Sequence, residues 1–298
     1  MVARGLIIFL SSFGMMLSAL AASDFYYDQL YKDGRFHITL VLGFEQFGSF
    51  STGRDSENLK NDVKDLDSAI LLCDSCGFQL SKRSLGERVY VTSFRYSGQA
   101  IPVRLRFIFV EPGTQISALR QKFIYALKND NLIMYVGHSR DGRGFPDFAG
   151  PLSDVGKIFK NDEFRGWQGF EYGYFSASKY QILSLNSCKT FEYYRDPIRK
   201  NVWEKAPSQL ALILTTQDTP FSDYPGESIT LIRGLMLQLS RKVILEQLEF
   251  AAEKFHAQTD DFAKNPLFKT DGFFSSEYER VTRPKQRGLP DAWRGMPF

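Results

Sequence analysis

The feature that most constrains the fold is a set of short, mostly apolar runs without alternation, at residues 132–136 (LIMYV), 180–185 (YQILSL) and 210–215 (LALILT). A strand that is covered on only one face alternates between apolar and polar residues, so apolar strands without alternation indicate burial on both faces. Segments with helical spacing alternate with such strands along the chain, which favours a parallel sheet between helices. We therefore predict an α/β fold, a three-layer sandwich with a mostly parallel sheet.

Periodicity and turn residues predict further elements around these runs. Apolar residues three and four apart identify the helices, and strict alternation identifies the strands of a hairpin. The predicted elements are a strand at 37–42, a helix at 56–72, a hairpin of strands 88–96 and 101–110, a helix at 114–128 and one long helix over 226–255.

The amino-terminal segment has the parts of a secretory signal peptide. Arg4 supplies a positive charge, residues 6–20 are mostly apolar, and Ala19-Leu20-Ala21 forms a small-x-small cleavage pattern. Because the apolar run is shorter than the roughly 20 residues that span a bilayer, we expect a signal peptide at 1–21 and no stable membrane anchor. The mature protein would then be exported, either periplasmic or secreted.

Composition excludes several other classes of protein. The chain has 298 residues, of which 24% are charged and 43% hydrophobic, a balance unlike that of a disordered chain. Its cysteines are too few for a disulfide-dense scaffold, and a net charge of +3 is too small to indicate a nucleic-acid partner. A single C-x-x-C motif cannot supply a four-ligand zinc site, and we expect no metal and no cofactor.

The cysteines divide into a pair and a single residue. Cys73 and Cys76 form a C-x-x-C motif after a helical segment, whereas a thioredoxin-type redox motif begins a helix. A structural disulfide, or two reduced thiols, fits that placement better. Cys188 is then an odd cysteine, which in an exported protein is either intermolecular or a free, reactive thiol. We predict that Cys188 is free and that Cys73 lies close enough to Cys76 to pair with it.

A histidine and this single cysteine each follow an apolar strand. His138 lies two residues beyond the run 132–136, and Cys188 lies three residues beyond the run 180–185. The carboxyl ends of parallel strands meet at one edge of a sheet, so neighbouring strands would bring the two side chains together. An adjacent imidazole raises the thiolate fraction of a cysteine, whose unperturbed pKa is about 8.5, and can protonate a leaving amine. A helix that begins at Lys189 would stabilise the thiolate further.

These two blocks resemble the caspase-like cysteine peptidases, the clan that includes caspases, legumain, gingipain and clostripain. The blocks are residues 132–138 (LIMYVGH) and 181–188 (QILSLNSC). The resemblance implies a caspase-like α/β domain, which we assign to residues 22–255, followed by a C-terminal extension at 256–298 with a basic tail. It also implies hydrolysis of peptide bonds in a protein or peptide substrate by a catalytic dyad of His138 and Cys188.

The same resemblance implies roles for neighbouring residues. The backbone amides of Ser139 and Cys188 would hold the oxyanion. Asp218 follows the run 210–215, where the clan builds part of its specificity pocket, and could pair with a basic side chain of the substrate or only form a turn. The clan usually has glycine at the position of Ser139. This departure leaves open a second possibility, an inactive caspase-like domain. Such a domain would bind a partner through the groove in which a peptidase of this clan holds its substrate.

A second alternative is a serine hydrolase of the α/β-hydrolase type. Residues 137–141 (GHSRD) come close to the G-x-S-x-G nucleophile elbow, with Ser139 as the nucleophile. Asp218 or Asp223 would be the acid and His256 the base. The last position of the motif is an aspartate where the sharp turn needs a small residue, and His256 falls inside a helical pattern, so we rank this hypothesis second.

Overall fold

The structure, a computed structural model, describes residues 25–43, 53–111, 114, 116–137, 139, 175–201, 209–219, 224–256 and 266–271. The strands are β1 (Phe36–Gly43), β2 (Gln79–Ser84), β3 (Glu87–Tyr96), β4 (Gln99–Phe109), β5 (Leu132–Gly137), β6 (Gln181–Asn186), β7 (Leu210–Thr215) and β8 (Phe268–Asp271). The helices are α1 (Tyr27–Leu30), α2 (Gly53–Leu71), α3 (Ile116–Asn129), α4 (Thr190–Asn201), α5 (Tyr224–Met236) and α6 (Arg241–His256). The predicted signal peptide at 1–21 lies outside these residues.

The strands form one eight-stranded sheet in the order β2-β3-β4-β1-β5-β6-β7-β8. The central strands β4, β1, β5, β6 and β7 run parallel, and antiparallel pairing joins β3 to β4, β2 to β3 and β8 to β7. The predictions of an α/β fold, of a mostly parallel sheet and of three parallel strands at the mostly apolar runs are therefore confirmed.

Apolar cores on both faces of the sheet explain the missing alternation. Even-numbered residues of β1, such as Leu40, pack in a core that includes α2, α5 and α6, whereas Val41 packs in a second core with α3 and α4. Every residue of β5, β6 and β7 is buried, because helices cover these strands on both sides. Burying each large apolar side chain contributes about 1.5–3 kcal/mol to stability. These contacts hold one helical layer against each face of the sheet.

Two strands do not carry the pattern that predicts a strand. Five of the six residues of β2 are exposed and none is buried, so this edge strand has no buried face to select apolar residues. β8 has only four residues and lies in the segment that we assigned to the C-terminal extension. The predicted hairpin at 88–96 and 101–110, in contrast, is confirmed as β3 and β4, joined by a turn in which Ser97 and Gly98 have positive φ angles.

The prediction of one long helix over 226–255 is wrong, because the segment forms α5 and α6 with a turn between them. Gln238 adopts a left-handed conformation with φ of 56°, and the N–H of Leu239 donates to the carbonyl of Gly234 at 3.0 Å, which ends α5. Ser240 then accepts a hydrogen bond from the N–H of Val243 at 3.3 Å and caps α6. The two helices pack against each other in the same core.

The cysteine predictions are confirmed. Cys73 and Cys76 form a disulfide, and Cys188 is free. The bridge lies in the turn that follows α2, where the N–H of Cys76 donates to the carbonyl of Cys73 at 2.8 Å. Thr92 on β3 donates its hydroxyl to the carbonyl of Cys76 at 2.8 Å, so the bridged turn is also tied to the sheet.

Candidate functional site

The two halves of the predicted dyad lie beyond the carboxyl ends of neighbouring strands. β5 and β6 pair in parallel, with Val136 opposite Asn186, so both chains leave the sheet at one edge. Cys188 follows β6 by two residues. His138 lies outside the described residues, although Gly137 before it and Ser139 after it are described.

The turn that carries Cys188 is placed against the loop that follows β7. The thiol of Cys188 is half-buried, and its sulfur lies 4.0 Å from the carbonyl oxygen of Thr219. The next residue, Lys189, adopts a left-handed conformation with φ of 50° and donates its N–H to the carbonyl of Gln217 at 2.9 Å. Non-glycine residues rarely adopt this conformation outside turns and functional sites. Helix α4 begins at Thr190, one residue later than predicted, so Cys188 lies two residues before a helix N-terminus.

Two buried threonines fix this turn to β7. The N–H of Thr215 donates to the hydroxyl oxygen of Thr190 at 2.8 Å, and the hydroxyl of Thr190 donates to the carbonyl of Leu185 at 2.9 Å. The hydroxyl of Thr215 donates in turn to the carbonyl of Ser187, directly before Cys188. Both threonine side chains are inaccessible to solvent. The cysteine is therefore held by hydrogen bonds on buried groups, which are costly to break.

A tyrosine of α4 connects this turn to the loop after β5. Tyr194 is fully buried, and its hydroxyl donates a hydrogen bond to the carbonyl of Ser139. Helix α4 therefore follows Cys188 directly and also holds the residue next to His138. Sequence periodicity does not find this tyrosine, because its role depends on a contact with a residue 55 positions away.

A close approach of β1 and β5 explains the glycine before His138. Gly43 and Gly137 are register partners at the ends of these strands, and the hydroxyl of Tyr135 donates to the carbonyl of Gly43 at 3.1 Å. A Cβ atom built on Gly137 would overlap the carbonyl oxygen of Gly43 and lie 2.7 Å from the hydroxyl oxygen of Tyr135. Only glycine leaves room for this packing.

A buried polar pair lies at the same edge of the sheet, at the end of β6 and two residues before Cys188. Asn186, the last residue of β6, donates its side-chain N–H to the carboxylate of Glu227. Both side chains are buried, and Glu227 lies in the first turn of α5, where the helix dipole favours a negative charge. An acidic residue at a helix start is the only sequence signal that could have indicated Glu227.

Asp218 lies on the rim of this edge rather than inside it. Its side chain is 72% exposed, and its carboxylate is 3.6 Å from the ammonium of Lys189. The negative charge of Asp218 raises the pKa of Lys189. Ion pairs this exposed contribute little stability. A basic substrate side chain that approaches Asp218 would share its carboxylate with Lys189.

The structure describes only some of the residues that the serine-hydrolase hypothesis requires. Ser139 is only 3% exposed, whereas a nucleophile must be reached by its substrate. Asp223 lies outside the described residues, and His256 is the last residue of α6. Within the described ranges, no cluster of histidine, cysteine, aspartate and glutamate side chains could hold a metal ion.

The chain matches no protein-family model and no curated protein. None of the helices in the described ranges is long and apolar enough to cross a membrane. Only the residues and the geometry of the site itself therefore bear on function.

Proposed function

We propose that the chain is an exported, caspase-like cysteine peptidase that hydrolyses peptide bonds with Cys188 and His138. One observation carries the proposal: a free, half-buried thiol precedes a helix N-terminus, next to a parallel strand whose end leads into a histidine. Neighbouring strands lie about 4.8 Å apart, so the residues that follow β5 and β6 start within side-chain reach of each other. The Cys73–Cys76 disulfide supports export, because such bonds persist in oxidising compartments.

The proposed chemistry needs a proton acceptor beside the thiol and donors for the developing charge. His138 takes the thiol proton, and the Cys188 thiolate attacks the peptide carbonyl carbon. The C–N bond breaks as His138 returns the proton to the leaving amine, which leaves a thioester on Cys188. Water, deprotonated by His138, then attacks the thioester and releases the carboxylic acid and the thiol. The backbone amides of Ser139 and Cys188 would stabilise the oxyanion in both steps.

The second candidate is a caspase-like domain without activity that binds a partner through the same groove. The serine in place of the usual glycine after His138 favours it, because a Cβ at Ser139 restricts the turn that supplies an oxyanion amide. The exposed pair of Lys189 and Asp218 would serve either function, as part of a specificity pocket or of a binding rim.

A thiol-reactive peptide probe separates these candidates. We expect a peptide probe to label the wild-type protein at Cys188 much faster than a small thiol reagent does, because binding of its peptide part would concentrate the probe next to the thiolate. Cys188→Ala is the control for the site of labelling, since the other cysteines form a disulfide. His138→Ala should slow labelling while leaving the protein folded. Peptide labelling no faster than that of an unstructured cysteine would contradict the peptidase and favour the binding domain.

We expect Tyr194→Phe to lower kcat by about 10- to 100-fold while KM stays near its wild-type value. The substitution removes only the hydroxyl that holds the carbonyl of Ser139, so the residue next to His138 loses its tether to α4. Steady-state kinetics on a peptide substrate measures the change. Tyr125→Phe, which removes the hydroxyl of an exposed tyrosine on α3, is the control. Equal kinetics for the two variants would show that Tyr194 has no positioning role.

A further inference from the structure

The opposite, amino-terminal edge of the sheet carries a cluster of positive charges that the peptidase proposal does not use. In the β1–β4 register, His37 pairs with Arg104 and Thr39 pairs with Arg106, and register partners lie on the same face. Arg35 precedes His37 by two residues, and Arg95 on β3 pairs with Ala100 at the hairpin end of that same face. We call Arg35, His37, Arg95, Arg104 and Arg106 the basic face.

Part of this charge has no direct ion-pair partner. Glu87 lies 3.2 Å from the guanidinium of Arg106 and 3.2 Å from the ammonium of Lys122, so its one negative charge is shared between two cations. Burial raises the pKa of Asp130, while the positive charges of Arg106, Lys179 and Arg104 lower it, so this buried carboxyl also lies near the cluster. Arg35, Arg95 and Arg104 are exposed, and none of them forms an ion pair with the residues that the structure describes. Exposed cations in excess of nearby carboxylates attract an oppositely charged partner.

His37 lies among these cations, and their charges affect its pKa. His37 is half-buried, and burial lowers its pKa to about 4, assisted by the positive charges of Arg35, Lys179, Arg104 and Arg106. Lys179 itself is paired with Asp33 at 3.6 Å. The positive charges therefore come from the residue before β1, from β4 and from the segment before β6.

Exposed apolar groups lie among the cations. Val91 on β3 is the register partner of Arg104 and is 39% exposed. Tyr125 on α3 is 52% exposed, and the guanidinium of Arg106 lies 5.3 Å from the centre of its ring. A surface that combines arginines with an exposed tyrosine has the composition of a membrane–water interface.

We propose that the basic face docks on an anionic phospholipid surface. The positive charges are spread over several strands rather than along one line, which fits a plane of headgroup phosphates. The position of the face favours lipid over an acidic segment of a substrate, and this choice rests on the proposed function. His37 and Gly43 are six residues apart along β1, about 20 Å, so a substrate held here would still have to extend to Cys188. Docking on a membrane instead leaves the edge with Cys188 facing away from the lipid.

Sedimentation with vesicles tests the proposal on the full chain. We expect binding to vesicles of phosphatidylcholine mixed with phosphatidylglycerol, weaker binding at high salt, and none to phosphatidylcholine alone. The double variant Arg35→Gln/Arg104→Gln should weaken binding about fivefold for each arginine, about 25-fold in total. Lys60→Gln/Lys64→Gln removes the same charge from exposed positions of α2, on the other helical layer, and should bind like the wild type. Arg35→Lys/Arg104→Lys should retain binding, which separates a loss of charge from a loss of structure.

The outcomes are distinct from those of the peptidase test, because vesicle binding requires no catalysis. Binding that does not depend on phosphatidylglycerol, or an equal loss in the two glutamine double variants, would overturn the proposal. Binding of polyglutamate in place of vesicles would overturn it as well and would identify the face as a site for acidic polypeptides.

Discussion

Cys188→Ala abolishes hydrolysis of peptide substrates if the proposed dyad is correct, and His138→Ala does the same. Each variant removes a group that the chemistry cannot replace: the alanine methyl has no thiolate to attack the carbonyl, and without the imidazole the thiol keeps its proton. Cys188 sits on a turn that the buried hydroxyls of Thr190 and Thr215 hold, and none of these bonds involves its sulfur. Cys188→Ala should therefore unfold like the wild type. Peptide hydrolysis measured beside thermal unfolding gives both results.

Ser139→Ala is the variant that separates the two enzyme hypotheses. It should be nearly silent in a cysteine peptidase, where Ser139 contributes through its backbone, and fatal in a serine hydrolase. Ser139→Gly should keep or raise the activity, since it restores the residue that the clan usually has. Activity that survives in Cys188→Ala and disappears in Ser139→Ala would replace our proposal with the serine hydrolase.

Gly137→Ala should cost about 1–3 kcal/mol of unfolding free energy and most of the activity. The added methyl group would overlap the carbonyl of Gly43, so the ends of β1 and β5 must separate. That movement displaces the residue after Gly137, which is His138, and weakens the hydrogen bond from Tyr135 to Gly43. Urea unfolding and peptide hydrolysis measure the two losses.

Gly226→Ala is the matched control for this substitution. Gly226 lies in the first turn of α5, and a Cβ atom there would have nothing within 4 Å. Since alanine favours helices by up to about 1 kcal/mol over glycine, Gly226→Ala should leave stability unchanged or raise it. If Gly137→Ala is as stable and as active as Gly226→Ala, the close contact of β1 with β5 does not exist in solution.

Some features of the site could not be predicted because they have no local pattern. Tyr194 meets Ser139 across 55 residues, and Asn186 meets Glu227 across 41 residues. Neither contact follows a helical or strand period, and a tyrosine or a glutamate in a helix is most often unrelated to a site. The turn between α5 and α6 could have been predicted from Ser240, since serine is a favoured N-cap.

The sequence by itself determined where the central strands lie, which residues form the hairpin and which cysteine remains single. Burial on both faces selects mostly apolar residues in β5, β6 and β7, without the alternation of a half-exposed strand, so each of these strands can be predicted from its own residues. Only the tertiary structure decided that β1 lies between β4 and β5, that β2 and β8 extend the sheet, and that Tyr194 holds Ser139. Strand order and side-chain partners depend on contacts between distant parts of the chain, whose free energy comes from shared burial and is not encoded in any one segment.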